Sequence, residues 1–489
     1  MAATATLAGS GALPSWPGLV HAVALPPLDL AMDVRVLVAG APTYPQLLIG
    51  LAVSLVVRTA LLGTLFVTLG VTSSPRAGIA YAARLYAAAL VPVTLAAALE
   101  FSGLAALYAW YAWSGLGLTA LVALILIPRR LGRPGTRIRR YPLVFGYLAA
   151  LMAIGALARA GTWGIVIGVV ASAMLTAVVL SWLVSRRPGH TRGVAAATVL
   201  LLMGALVVPG AAAQVPTAVH ASLLVVPGVD TSSGYGAAYR LDPSALGLPC
   251  ERVFYFSYRG PGEGAPQGEA ACPIRLHRPY AEETTQRPIG ELVDAFALQL
   301  EAIRRETGDS PVVVVTHSQG AVIAWRAAAR GRAEGVSHLI ALGGFPHSPV
   351  GYPPPGLAGP GRVGADALRV LSWLSRVFEL GTFDPDAPLA REILARSDGL
   401  ESVFGEPLPP TTKGTLLFAA ADVIAALEGR TIPDSLTITI WTTHVGITES
   451  ARAEVALREI LGGGAPSGDS ALAAILDAVL PAFMPPPAG

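Results

Sequence analysis

At 489 residues, with 53% hydrophobic and only 13% charged side chains, a formal net charge of +2 and a mean hydropathy of +0.57, the chain is too long and too apolar for one ordinary water-soluble domain. The near-neutral charge, with no basic patch in the more polar half, excludes an electrostatic nucleic-acid binder. The apolar excess lies before about residue 214, which divides the chain into a membrane part and a globular part.

Residues 1–45 contain Pro26, Pro27, Asp29, Asp33 and Arg35 and read as an interfacial or extra-membrane arm rather than a span. Residues 46–213 then read as a transmembrane helical domain. A spanning helix needs roughly 20 mostly apolar residues, and six segments meet that length, at about 46–70, 79–99, 104–127, 141–159, 162–184 and 193–213. Arginines collect in 128–140 and 185–192, and Arg76 lies in the loop after the first segment; the positive-inside rule makes these loops cytoplasmic. The sixth segment therefore exits outward and leaves residues 214–489 extracytoplasmic. Ala-, Gly-, Pro- and Arg-rich usage with Lys413 as the single lysine fits a GC-rich bacterial genome, so the expected setting is a bacterial cell membrane. Arg58 lies within the first segment, where a charge marks a functional site or a structural ion pair; Asp33 and Glu100 are its candidate partners. Small residues ending at Ala213 also resemble a signal-peptidase site, with retention of the globular half the favoured alternative. Paired intramembrane acids and interrupted repeats, the marks of a transporter, do not occur in the segments.

From Ser222 onward, short β-branched runs alternate with helical stretches. The runs are 223–226, 253–258, 312–315, 338–342, 415–420 and 436–441, with helices over 289–306 and 321–333, which predicts a mostly parallel sheet of about six strands covered on both faces. The run Val312-Val313-Val314-Val315-Thr316-His317-Ser318-Gln319-Gly320 reads as a buried strand, a sharp turn carrying a serine, and a helix start. Ligands in such sheets gather at the carboxyl ends of the strands. Pro227-Gly228-Val229-Asp230, Ser318, Asp422 and His444 all fall there.

With these residues in place, 220–461 resembles the α/β-hydrolase family, in its lipase and esterase branch. The order Ser318, Asp422, His444 is the order in which that family carries its triad. The phrases Val226-Pro227-Gly228-Val229, Phe256-Ser257-Tyr258-Arg259-Gly260 and Leu342-Gly343-Gly344-Phe345-Pro346-His347 match its loops in turn. The resemblance implies Ser318 as nucleophile, His444 as base, Asp422 as its orienting acid, and backbone N–H groups of Gln319 and Val229 as the oxyanion hole. Asp384 and Asp386 compete for the role of the acid, while His317 and His347 read as structural. Two departures stand out: Thr316 replaces the first glycine of the usual G-x-S-x-G turn, and Pro227-Gly228 replaces the usual His-Gly pair.

Residues 348–412 separate the fourth and fifth strands as a cap-like insertion. Leu368, Val370, Leu371, Leu374, Val377, Phe378 and Leu380 recur there at helical spacing, to line an acyl pocket or simply to cover the sheet. Cys250 and Cys272 read as one disulfide or as two unrelated thiols. No metal-ligand spacing occurs, and neither cofactor nor oligomeric state is signalled. The expectation is a membrane-tethered serine hydrolase acting on carboxylic esters, including lipid esters. An acyltransferase with the same triad and a catalytically inactive scaffold are the alternatives.

Overall fold

The computed structural model describes residues 41–101, 221–344, 351–419 and 432–466 with a few single gaps, together with scattered positions at 30–40 and 147–179. The described N-terminal part is a helical hairpin: α1 spans Tyr44–Thr68 and α2 spans Pro75–Phe101. They coincide with the first two segments expected from sequence. The third and sixth segments lie outside the described residues. Of the described helices, α1 is the one both long and apolar enough to cross a bilayer.

Close packing of the hairpin depends on two glycines at its tight end. A Cβ at Gly63 would fall 2.9 Å from the Ile79 backbone, and one at Gly78 would fall 2.6 Å from the Gly63 carbonyl oxygen. Phe66 and Tyr81 meet edge to face beside them, with ring centroids 5.2 Å apart. The described parts of the arm are helical too, and Leu30, Val34 and Val38 are fully buried against the hairpin. That packing brings Asp33 to Arg58. Arg58 Nε donates to one carboxylate oxygen at 2.8 Å and Nη2 to the other at 2.7 Å, while Ser54 Oγ adds a further hydrogen bond. A bidentate partner of this kind offsets the cost of burying the guanidinium. Further along the chain, Tyr147 and Thr176 share a 2.8 Å hydrogen bond that ties the fourth and fifth segments together.

The second unit is a six-stranded parallel sheet in the order β2-β1-β3-β4-β5-β6, comprising β1 (Ser222–Val226), β2 (Val253–Tyr255), β3 (Val312–His317), β4 (Val336–Leu342), β5 (Lys413–Ala419) and β6 (Ser435–Ile440). All six expected strands are present. The second is shorter than its apolar run, because after Tyr255 the chain leaves the sheet edge to form the loop that carries Tyr258. Val312–Val315 of β3 are all buried, as a central strand covered on both faces requires. On one face lie α3 (Ile289–Thr307) and α4 (Gln319–Ala329), whose Phe296, Leu300, Val322 and Trp325 pack on Val314, Leu339 and Leu416. On the other, α8 (Ala451–Leu461) places Ala453, Leu457 and Ile460 against Val313, Ile340 and Ile438. Ser450 caps α8, accepting a hydrogen bond from the Ala453 N–H.

The insertion between β4 and β5 supplies α5 (Arg362–Val377), α6 (Pro388–Leu394) and α7 (Gly399–Phe404). It contributes to the globular unit's core through Leu389, Ile393, Leu400, Val403 and Phe404. It also touches the helical hairpin. α5 packs against α2, Tyr44 Oη donates to Asp366 at 2.9 Å, and the Gly359 N–H donates to the Pro42 carbonyl at 3.1 Å.

Cys250 and Cys272 are joined, with Cα atoms 5.2 Å apart, which decides between the two readings of the cysteines. The bridge spans 22 residues, and closing a loop of that size stabilises by about 3 kcal/mol in the chain-entropy description. A Cys250→Ser/Cys272→Ser variant is therefore expected to unfold with about 3 kcal/mol less stability, measured by denaturant titration of the detergent-solubilised chain. The same loss should follow reduction of the wild type.

Candidate active site

The strand order reverses between β1 and β3, so the loops after these two strands diverge and leave a crevice at their carboxyl ends. Ser318 stands in that crevice. It sits between β3 and α4 with φ 54° and ψ −125°, a left-handed conformation that a non-glycine residue adopts at a cost of about 1–3 kcal/mol. Its N–H donates to the Leu342 carbonyl at 3.0 Å and its carbonyl accepts from the Ala321 N–H at 3.0 Å, so the turn is clamped from β4 and from its own helix.

Two glycines make the turn sterically possible. A Cβ at Gly320 would lie 2.6 Å from the Val226 carbonyl oxygen, so the start of α4 runs directly over the end of β1. A Cβ at Gly228 would lie 3.0 Å from Ser318 Cβ. Thr316, at the position of the missing glycine, is fully buried, and its hydroxyl donates to the Ile340 carbonyl at 3.3 Å. The close approach falls at Gly320, two residues beyond Ser318, and Thr316 is accommodated by bonding sideways to β4.

His444 follows β6 and is buried. Its ring centroid lies 5.0 Å from that of His317, the neighbour of Ser318, and its backbone carbonyl accepts a 2.9 Å hydrogen bond from His317 Nε2. Gly343 clears space for it: with φ 59°, that residue's Cβ position would fall 3.1 Å from His444 Nδ1. The structure thus brings His444 beside the turn that carries Ser318. Burial, followed by the nearby His444, drives His317 down to about 3, so it remains neutral and serves as a donor to the His444 backbone.

Asp422 lies outside the described residues, three positions after the end of β5. The two competing acids are committed elsewhere. Asp386 accepts from Arg369 Nε at 2.9 Å and Nη2 at 3.0 Å, and that guanidinium holds its carboxyl below the usual range. Asp384 lies 3.6 Å from Arg376, and its N–H donates to Gln286. His347 also lies outside the described residues.

Gln319 is the first residue of α4, so its N–H belongs to the first turn of a helix, where negative charge is favoured. Val229 belongs to a loop fixed from several directions. Tyr258 Oη donates to the Pro227 carbonyl at 2.7 Å, and Thr231 Oγ1 donates to that of Gly228 at 2.9 Å. Tyr280 and Tyr239 extend the chain of hydroxyls behind Thr231 at 3.2 and 3.1 Å. Burial raises Tyr280 to about 12 and Tyr239 and Tyr258 well above their ordinary values, so all three hydroxyls keep their protons.

Asp230, with φ 59°, closes the loop. Its carboxylate accepts from both the N–H and the hydroxyl of Thr382 in the insertion, at 2.6 and 2.7 Å. Sequence reasoning named Tyr258 and Asp230 only within strand-end phrases, without these contacts, and did not single out Thr231. Among the described residues no group of three or more His, Cys, Asp or Glu side chains is arranged to hold a metal ion.

Removing the Tyr258 hydroxyl leaves the Pro227 carbonyl without its buried donor, so Tyr258→Phe is expected to cost about 1–3 kcal/mol in denaturant unfolding. A second expectation concerns acid. His317 and His277 are lowered to about 3 and about 4, chiefly by burial, so the unfolded chain takes up protons that the folded one refuses. Their contribution to stability is complete above pH 6.5 and is lost progressively as pH falls toward 4 and then 3. His277→Asn should flatten the stability-versus-pH slope in that window, read from unfolding midpoints at successive pH values.

A family model described as alpha/beta hydrolase fold matches residues 243–408. No curated protein sequence matches the chain. Similar solved structures include the RedJ thioesterase from the prodiginine biosynthetic pathway in Streptomyces coelicolor, at 22% identity over 52% of this chain and 95% of that one, with a TM-score of 0.28. Another is lipase B of Aspergillus fumigatus, at 12% identity over 80% of this chain and 93% of that one, also with a TM-score of 0.28. With the six-stranded parallel sheet described above, the family match assigns the globular part the alpha/beta-hydrolase fold.

Proposed function

We propose that the chain is a membrane-tethered serine hydrolase that cleaves carboxylic esters through an acyl-enzyme. The observation that carries this reading is the left-handed backbone of Ser318 at the sheet's switch point, with the His444 ring beside its turn. Strain of that kind persists only where the surrounding contacts enforce it, and here it presents a hydroxyl at the start of a helix.

In the proposed reaction, His444 accepts the Ser318 proton as Oγ bonds to the acyl carbon. The resulting oxyanion accepts hydrogen bonds from the Gln319 and Val229 N–H groups. Its collapse breaks the ester C–O bond, and the alcohol departs with the proton from His444. Water then repeats the sequence and releases the acid. Asp422 orients the imidazole and stabilises its charged form.

Tethering is supported by the length and apolar character of α1, whose Leu48, Ile49, Val53, Val56 and Val57 are exposed. The end of the hairpin that meets the hydrolytic unit is the one at Tyr44, opposite the turn that carries Arg76. Under the positive-inside rule the Arg76 end faces the cytoplasm, so the hydrolytic unit faces outward, and a disulfide suits that side.

Wild-type protein in membranes is expected to label with a fluorophosphonate probe, and Ser318→Ala to abolish both labelling and ester hydrolysis. Asp422→Asn should lower kcat by about 10^4 while leaving the fold intact. A wild type that fails to label while an active serine esterase in the same preparation labels would overturn the hydrolase reading. Product analysis with an added alcohol acceptor separates hydrolysis from acyl transfer.

A further inference from the structure

The insertion helix α5 has two apolar faces, and the second has no partner among the described residues of the hydrolytic unit. One face, with Ala365, Leu368 and Ser372, is buried, and Ala365 and Leu368 join Tyr352 in a small core of the insertion. The other carries Val363, Val370 and Val377 at seven-residue intervals, with Trp373 beside them and Phe378 just past the helix end. Val363 at the start of this stripe is buried in the core of the N-terminal helices. Further along, Val370, Trp373, Val377 and Phe378 are 55–66% exposed. A single apolar stripe thus begins inside the helical hairpin's contact and continues outward beyond it.

The depth of this stripe follows from its neighbours. Asp366 lies on the same side of α5 and accepts from Tyr44, an amphipathic ring at the end of α1 of the kind that sits at headgroup level. α1 and α2 have 25 and 27 residues. At about 1.5 Å per residue they exceed a hydrocarbon core of about 30 Å, so the end beside α5 reaches the headgroups. The charged edge that borders this stripe is locked down. Arg369 bridges Asp366 and Asp386, and Arg362 pairs with Asp366, which fixes how the helix is rolled about its axis.

We propose that the Val370–Trp373–Val377–Phe378 face of α5 rests in the outer headgroup layer of the lipid bilayer, as a permanent interfacial contact continuous with the apolar surface of α1 and α2. This rests on the membrane reading given above and extends it. The bilayer is the occupant because the stripe is continuous with the hairpin's apolar surface and begins at the tyrosine that marks the interface.

Both native cysteines are in the disulfide, so an introduced thiol is the single labelling site of the full chain. The test attaches an environment-sensitive nitrobenzoxadiazole probe, in phosphatidylcholine proteoliposomes, at Val370→Cys and Val377→Cys on α5. Val56→Cys on α1 and Leu436→Cys on β6 serve as references, being likewise exposed apolar positions. Probes on α5 are expected to be blue-shifted and quenched several-fold more than Leu436→Cys by lipids carrying nitroxide about 5–10 Å below the interface. Val56→Cys should respond to deeper nitroxides. Two α5 probes quenched by aqueous iodide as strongly as Leu436→Cys, with Val56→Cys still lipid-quenched, would overturn the proposal and leave the membrane reading standing. Probes on α5 protected from both quenchers would assign the face to a protein contact and overturn it equally. Water exposure at Val56→Cys would remove the membrane reading and this proposal together.

Discussion

The start of α4 crosses the end of β1 at backbone-to-backbone distance, and the rest of the candidate site depends on that crossing. Gly320 allows it, because any side chain there would meet the Val226 and Pro227 carbonyls. Once the helix is that close, Ser318 is forced into a left-handed turn, and the β4 carbonyl of Leu342 holds it there. The β1 loop is brought under the serine by the same contact, which is why Gly228 must also lack a side chain. The positions of Ser318, of the β1 loop and of the helix N-terminus are consequences of one steric condition.

Around this point the molecule uses buried neutral hydrogen bonds rather than ion pairs. His317 holds the His444 backbone as an uncharged donor, and the Tyr239, Tyr280 and Thr231 hydroxyls support the β1 loop in a chain. Neutral groups of this kind fix geometry without adding a field that would compete with charge appearing on a substrate. Charged contacts lie further out, in the insertion, where the arginines of α5 hold Asp366 and Asp386 in half-buried positions.

Much of the fold was legible because its signals are local. Four valines in a row announce a strand covered on both faces, and all six strands lie where β-branched runs predict them. The serine turn and the histidine after the last strand were legible from strand-end position alone. What escaped was set by packing between distant segments. Thr316 looked like an obstacle to the turn, yet its hydroxyl reaches across to β4, a partner 24 residues away. The tie between Asp230 and Thr382 spans 152 residues and leaves no periodic trace. The insertion helix was recognisable by its spacing, but spacing does not distinguish a face that meets protein from one that does not. Asp422 and His347 lie outside the described residues, and so do the third and sixth apolar segments.

The bidentate contact between Arg58 and Asp33 has a consequence for how the protein is made. An arginine carried alone into the hydrocarbon would be the most costly residue of α1. Asp33 precedes it by 25 positions, so the ribosome delivers the anion before the cation. On the membrane reading, the arm and α1 then enter the bilayer as one neutral unit. The arm's Leu30, Val34 and Val38 are already matched to the surface they will cover. Residues that read in sequence as an interfacial or extra-membrane arm would thus act as the insertion partner of the first span.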